Sequence, residues 1–404
     1  MKICFIGYNL LPDYHEGVRK NTYEIIWRLQ KRGHKVFIIT SGGKDKVVFY
    51  KNIKIYSVGV GQKGNIYSLL INAPRFIKKA RRILLEERPI VIYDRFVLMG
   101  SSLLTLFASF GLRIVKFKTV FNTPIKKSEI FDSLNARHTL FEVAPRLSFD
   151  NPLLWWLILK RFEKVIVVCS FLEKKIEKYS QKVIYLPEGV DYQKFAGNKV
   201  SRKKLINKYF KEKNLKNKRF ACYLGHPAYK KGIDYLLGAL PLILEKQKDF
   251  FFIFALSKVG ETGEVFLKKI SQLCRENKNM VLLGVVDPVE IFLLSDVFIL
   301  PMIYSWGAIA LPNTILEAMA AGTVVISTPM PGIKEVLNHK KTGFLVASRS
   351  SKEIERAITW CLENFNQAKA IGRKGQLLVE KYDWGKIIDE HERLLKNYES
   401  KKQN

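Results

Sequence analysis

Short apolar runs alternate with helical periodicity from the start of this chain. KICFIGY, beginning at Lys2, is apolar over a strand's length and suits a strand buried on both faces of a parallel sheet. After the loop NLLPDYHEG, the residues Val18, Thr22, Ile25, Ile26 and Leu29 recur at helical spacing. Gly33 ends that helix, and KVFIIT is the next strand. IVIYD, IVKFKTVFN, VIVVCS and KVIYLPEG continue the series, with helical patterns over residues 70–88, 97–110 and 151–163. Strands and helices in this alternation predict an open, mostly parallel α/β sheet.

Residues 196–219 break the rhythm. They are crowded with lysine and poor in strand formers, and read as an exposed, partly helical interdomain segment. A second α/β series follows, with strands at FACYLG, FFFIFAL, MVLLG, DVFILP and TVVIST. Helical segments over 351–378 and 384–399 close the chain. Two successive doubly wound domains are expected, with a ligand cleft at the carboxyl ends of their strands.

Length and composition agree with this reading. A chain of 404 residues, 48% of them hydrophobic, is too long for one small core and suits two. Lys and Arg number 68 against 37 acids, a net charge of +31. That excess attracts polyanions such as phosphorylated small molecules, anionic lipid or nucleic acid; a lysine-rich solvated surface has the same composition. No nucleic-acid-binding module is recognisable, so nucleic acid is not expected as a partner. Five scattered cysteines without a CxxC argue against a disulfide framework or a zinc site and for a reducing, cytoplasmic setting. Two apolar stretches, residues 96–112 and 151–164, approach the character of membrane segments and read as helices packed in the fold.

No Walker lysine loop, HExxH or nucleophile elbow occurs. Three loop-to-helix junctions carry the candidate chemistry. Gly17 opens the first helix, where a ligand can approach the backbone and a helix N-terminus favours anions; a turn glycine looks the same. In GHPAYKKG, Lys231 precedes the helix starting at Gly232, a placement that opposes the helix dipole unless an anion bridges the two. In LPNTILEAMAAG, Asn313 is a suitable N-cap and Glu317 follows in the first turns. A carboxylate there either steadies the helix or accepts hydrogen bonds from a ribose. Together the junctions suggest a nucleoside diphosphate ligand.

These blocks resemble a family. LPNTILEAMAAGTVVISTPMPGIKEVL followed by TGFLV looks like the donor-site signature of the family-4, GT-B glycosyltransferases. YLGHPAYKKGIDYLL, VVCSFLEKKI, LPEGVDYQKF and EGVRKNTYEIIWRLQKRGHKV are similar to its other blocks, so the resemblance spans nearly the whole chain. It implies two Rossmann-like domains, an acceptor-side domain over 1–190 and a donor domain over 191–380, with a helix in 381–404 crossing back onto the first. It implies a hexosyltransferase that moves a sugar from a UDP- or GDP-sugar to a saccharide or lipid-linked acceptor in cell-envelope glycan synthesis. Retention at the anomeric carbon, no cofactor and no obligatory metal are expected. By position, Lys231 would neutralise the diphosphate, Glu317 would hold the ribose, and the amides of Thr314 and Ile315 would reach phosphate oxygens. Gly17 would sit near the donor phosphates. Such preorganised charge stabilises a leaving group. An anionic membrane surface, met by the basic face of the first domain, is a candidate partner.

The chain departs from the family pattern in places. The signature carries two glutamates eight residues apart, and the first is Ile309 here. An arginine common after the glycine of the lysine loop is His226 here, a residue type whose charge depends on pH near neutrality. The acceptor-side loop VFNTPIKKSE offers Asn122, with Glu129 downstream, where many members have a histidine. YDRF, with Arg95, resembles the subgroup with that Asn, which implies that Arg95 would help shape the acceptor side. The alternative to transfer is a degenerate nucleotide-binding member acting as a non-catalytic partner subunit.

Overall fold

The run KICFIG forms β1, Lys2–Gly7, and all but its first residue are buried. The computed structural model describes residues 1–12, 17–61, 69, 71–96, 101–120, 152–210, 215–256, 261–303 and 311–399. Two units divide the chain: Met1–Pro187 with Gly385–Asn404, and Glu188–Trp384.

In the first unit β1 leads into α1, Gly17–Lys31, and then β2, Lys35–Gly42. A hairpin follows, β3 at Lys46–Tyr50 and β4 at Ile53–Gly59. Then come α2 (Ala73–Glu87), β5 (Val91–Asp94), α3 (Ser102–Ala108), β6 (Val115–Val120), α4 (Pro152–Leu159), β7 (Lys164–Val167), α5 (Ser170–Ile176) and β8 (Val183–Tyr185). Among the described residues the sheet order is β3-β4-β2-β1-β5-β6-β7-β8. Pairing is parallel except between β3 and β4. That hairpin is absent from the strand pattern above. Its turn is Lys51–Asn52, both at positive φ (47° and 64°), the geometry of a two-residue hairpin loop.

One side of this sheet is covered by α2 and α3. Cys4, Ile6 and Ile92 meet Phe76, Leu84, Phe96 and Leu104 there, a continuous apolar layer.

The second unit opens with α6 (Tyr192–Ala196) and α7 (Arg202–Tyr209). It continues with β9 (Arg219–Gly225), α8 (Ile233–Lys246), β10 (Phe250–Leu256), α9 (Glu261–Glu276), β11 (Met280–Leu283), α10 (Pro288–Leu294) and β12 (Val297–Leu300). Then follow α11 (Asn313–Ala320), β13 (Val324–Ser327), β14 (Phe344–Leu345), α12 (Ser351–Glu363) and α13 (Phe365–Val379). Its strands run parallel in the order β11-β10-β9-β12-β13-β14. FFFIFAL, the β10 run, is buried throughout, as a central parallel strand must be.

Three expectations change. The lysine-rich stretch is no interdomain segment but part of the second unit. Leu205, Ile206 and Phe210 recur at helical spacing among the lysines and are buried in its core, while Arg202 forks onto Asp296 at 2.7 and 2.8 Å. The closing helix over 351–378 is two helices broken at Asn364, whose backbone amide caps onto the Trp360 carbonyl at 2.9 Å. The helix of the signature begins at Asn313 itself, with Pro312 in the N-cap position, because proline fixes an extended entry and Asn313 already has helical geometry.

The last described element is α14, Trp384–Glu399, which, from Gly385 on, belongs to the first unit. Tyr398 packs edge-on against Phe117, and Arg32 holds Asp389 at 2.7 Å and Glu392 at 3.1 Å. His391 is buried beside the Tyr93 hydroxyl, 3.3 Å away. Burial, with the Arg95 cation adding to it, pushes its pKa down to about 3, so this histidine is neutral packing.

Candidate functional site

The strand order of the second unit reverses beside β9. The chain runs outward from β9 through β10 to β11, then returns to β12 on the other side of β9. In doubly wound sheets the carboxyl ends of the strands at such a reversal, here β9 and β12, are where ligands are held.

The β9 loop is GHPAYKKG. The Tyr223 hydroxyl, at the end of the strand, donates to the His226 carbonyl at 2.8 Å. Tyr229–Lys231 makes a single 3-10 turn, and Gly232 then caps α8 at φ +71°. The Ile303 amide donates to the Lys230 carbonyl at 3.0 Å, so the loops after β9 and β12 are stitched together. Thr328 and Ser327, at the end of β13, donate to the carbonyls of Met302 and Leu300 at 2.6 Å each. Three strand ends thus form one rigid floor.

On that floor Lys231 is half-buried. Its ammonium makes no ion pair or side-chain hydrogen bond among the described residues. Burial, and secondarily the neighbouring Lys230, lower its pKa to about 8. A desolvated cation without a counter-charge is a site prepared for an anion. A side chain placed at residue 225 would meet nothing within 4 Å, so the loop is open beside it.

The loop after β12 leads to α11. Its residues Ile315 and Leu316 are fully buried and anchor the helix. That anchoring leaves Thr314 with a buried hydroxyl that has no hydrogen-bond partner among the described residues. The Ile315 amide donates to the Pro312 carbonyl at 3.0 Å, closing the first turn internally. Glu317 lies one turn further on and is 6% exposed. His226 lies in the lysine loop and is half-buried. The structure thus joins the lysine loop to the loop that feeds α11. Ile309 lies outside the described residues.

In the first unit the order reverses between β1 and β5. Gly17 is exposed at the start of α1, and a Cβ there would meet nothing within 4 Å. Arg95, directly after β5, is 3% exposed. Its guanidinium donates to the hydroxyls of Thr22 on α1 at 3.0 Å and Thr119 on β6 at 3.3 Å. It is a strut joining three elements. Asn122 and Glu129 lie outside the described residues.

Sequence reasoning overlooked the groups behind Arg95. Asp94 and Lys118 form an ion pair at 2.9 Å, with side chains 0% and 1% exposed. Asp94 also accepts from the Ser102 hydroxyl at 3.0 Å and the Phe96 amide at 3.2 Å. The signal was a lysine inside an apolar strand, VKFKTV, two residues from another lysine on the same face.

Two mostly parallel α/β units, one with a half-buried lysine that has no ion pair among the described residues beside its switch point, define a doubly wound α/β protein of the kind that holds phosphorylated ligands at its strand ends. Two family models match in succession: Glycosyltransferase Family 4 over residues 15–194, and Glycosyl transferases group 1 over residues 206–378. The chain belongs to the group 1 glycosyltransferases. Its fold is similar to that of a sucrose-phosphate synthase from Thermosynechococcus elongatus, at 17% identity and a TM-score of 0.79 over 99% of each chain. It is also similar to HepE of Anabaena, solved with UDP and glucose, at 17% identity and a TM-score of 0.71, covering 98% of this chain and 100% of that one. In sequence it is 30% identical over 199 residues to a GDP-mannose-dependent alpha-(1-6)-phosphatidylinositol monomannoside mannosyltransferase of Mycobacterium tuberculosis, 48% of this chain and 50% of that protein. The chain spans about half the length of the curated relatives it matches.

Proposed function

We propose that the protein transfers a sugar from a nucleoside-diphosphate donor to a saccharide or lipid-linked acceptor, with retention at the anomeric carbon and without an obligatory metal. UDP and GDP are the favoured nucleotides, since HepE was solved with UDP and the mycobacterial relative depends on GDP-mannose. The observation that carries this reading is Lys231, half-buried at the switch point with no counter-charge among the described residues.

In this reading, Lys231 lies against the diphosphate and takes up the charge that grows as the glycosidic bond breaks. The Thr314 hydroxyl finds in a phosphate oxygen the partner it lacks. Glu317 accepts hydrogen bonds from the ribose hydroxyls. Arg95 acts on the acceptor side indirectly, by holding α1, β5 and β6 in register. The protein works at the inner face of a cell membrane, held there by its basic surface.

Thermal shift against UDP, GDP, ADP, TDP and CMP tests the reading, repeated with Lys231→Ala. One diphosphate should stabilise the protein selectively, and the variant should lose the effect. Transfer from the matching sugar nucleotide, with the product anomer read by NMR and the assay repeated in chelator, then tests retention and metal dependence. No stabilisation by any nucleotide overturns the reading; stabilisation with neither transfer nor donor hydrolysis favours a nucleotide-binding partner subunit.

A further inference from the structure

The first unit carries a cationic groove that its own fold does not use. α2 and α3 pack side by side, and Arg81 bridges them by donating to the Phe110 carbonyl at 2.5 Å and the Ala108 carbonyl at 3.5 Å. Beside that bridge lies a surface groove of about 610 Å³, lined by Lys78, Arg81, Arg82, Leu85, Glu86 and Arg88. Four cations there face one carboxylate. Lys78, Arg82 and Arg88 make no ion pair or side-chain hydrogen bond among the described residues. The nearby Asp45 is already held by Arg75 and Lys79. Lys78 and Arg82 are also four residues apart on one helix face, where like charges repel.

The apolar side of the same seam is equally unused. Phe107 and Phe110 are 56% and 76% exposed, next to the carbonyls that Arg81 holds. Large aromatic side chains standing out beside a cluster of free cations match the interfacial layer of a membrane, where rings enter the headgroup boundary and cations meet lipid phosphates. A soluble polyanion would satisfy the cations and leave the rings in water.

We propose that the α2–α3 seam docks the protein on an anionic bilayer, with Lys78, Arg82 and Arg88 on lipid phosphates and Phe107 and Phe110 inserted at the interface. This gives the membrane part of the proposed function a surface; it rests on that reading for its purpose and not for its chemistry. A second apolar cluster exists on α4, where Leu153 and Trp156 are exposed and Lys160 lies 3.6 Å from the Trp156 ring centre. It serves as the internal comparison.

The test is flotation of the full chain with vesicles of phosphatidylglycerol and phosphatidylcholine at low salt, beside vesicles of phosphatidylcholine alone. The protein should float with the anionic vesicles only. The doubles Arg82→Glu/Arg88→Glu and Phe107→Ser/Phe110→Ser should each weaken binding about ten-fold or more, with the nucleotide thermal shift unchanged. Flotation of both doubles at the unmodified level overturns the proposal. So does loss confined to Leu153→Ser/Trp156→Ser, and so does release of the protein by RNA with no loss in the phenylalanine double. Because vesicle binding and nucleotide binding are read separately, a missing nucleotide shift with flotation intact removes the transferase reading alone. Flotation lost with the nucleotide shift intact removes the docking surface alone.

Discussion

The carbonyl oxygen of Pro301 lies 1.8 Å from where a Cβ on residue 232 would stand, so Gly232 is the contact between the lysine loop and the end of β12. Its φ of +71° would strain any other residue as well. Gly232→Ala should push the two loops apart and cost about 3 kcal/mol or more, since backbone strain and overlap add. Chemical denaturation measures the loss. The nucleotide thermal shift should vanish with it, because Lys231 rides on the displaced loop.

Lys231 gives a pH dependence of definite sign. Its folded pKa of about 8 lies below its ordinary value of 10.5, so between these the unfolded chain binds more protons. Stability should rise with pH through that window, and the cost of burying the charge is fully present below it. Lys231→Met should therefore raise Tm at neutral pH, by roughly 2–4 °C per kcal/mol recovered. The side chain is only half-buried, so the gain is small. Nucleoside diphosphate affinity should fall as pH passes about 8, and Lys231→Arg should flatten that slope.

Thr314 separates stability from ligand binding. Its hydroxyl is buried without a partner, so the isosteric Thr314→Val should leave Tm unchanged or raise it. Diphosphate affinity, read by calorimetry, should drop. Equal affinity in the variant would show that the hydroxyl faces no phosphate.

Glu317→Gln keeps the shape of a buried side chain and removes its charge. Loss of a charged hydrogen bond to ribose should weaken nucleotide binding about 10- to 100-fold. A 2′,3′-dideoxy nucleotide should bind the two proteins alike, which assigns the effect to the ribose diol.

The Asp94–Lys118 pair is enclosed, and removing one partner strands the other. Asp94→Ala should cost about 3–5 kcal/mol. Asp94→Asn combined with Lys118→Met should cost less than Asp94→Ala, because no buried charge is left alone. A double-mutant cycle by denaturation measures the coupling.

The strand series, the two α/β units and the lysine loop could be read from the chain, because each depends on local periodicity. FFFIFAL cannot be other than a buried strand, and Leu205, Ile206 and Phe210 show how an apolar face hides in a lysine run until packing reveals it. Lys51 was silent as a turn former because lysine rarely takes positive φ, and only pairing of β3 with β4 holds it there.

What the sequence by itself determined was which residues could carry charge to a loop end, such as Lys231, Glu317 and Arg95. Tertiary structure decided what each charge meets. Arg95 became a strut because Thr22 and Thr119, far from it in the chain, converge on it. Lys231 became half-buried without an ion pair among the described residues because the chain after β12 bonds back to the neighbouring Lys230 carbonyl. Desolvation depends on groups brought together from distant parts of the chain, and hydrophobic periodicity reports only the face of each element.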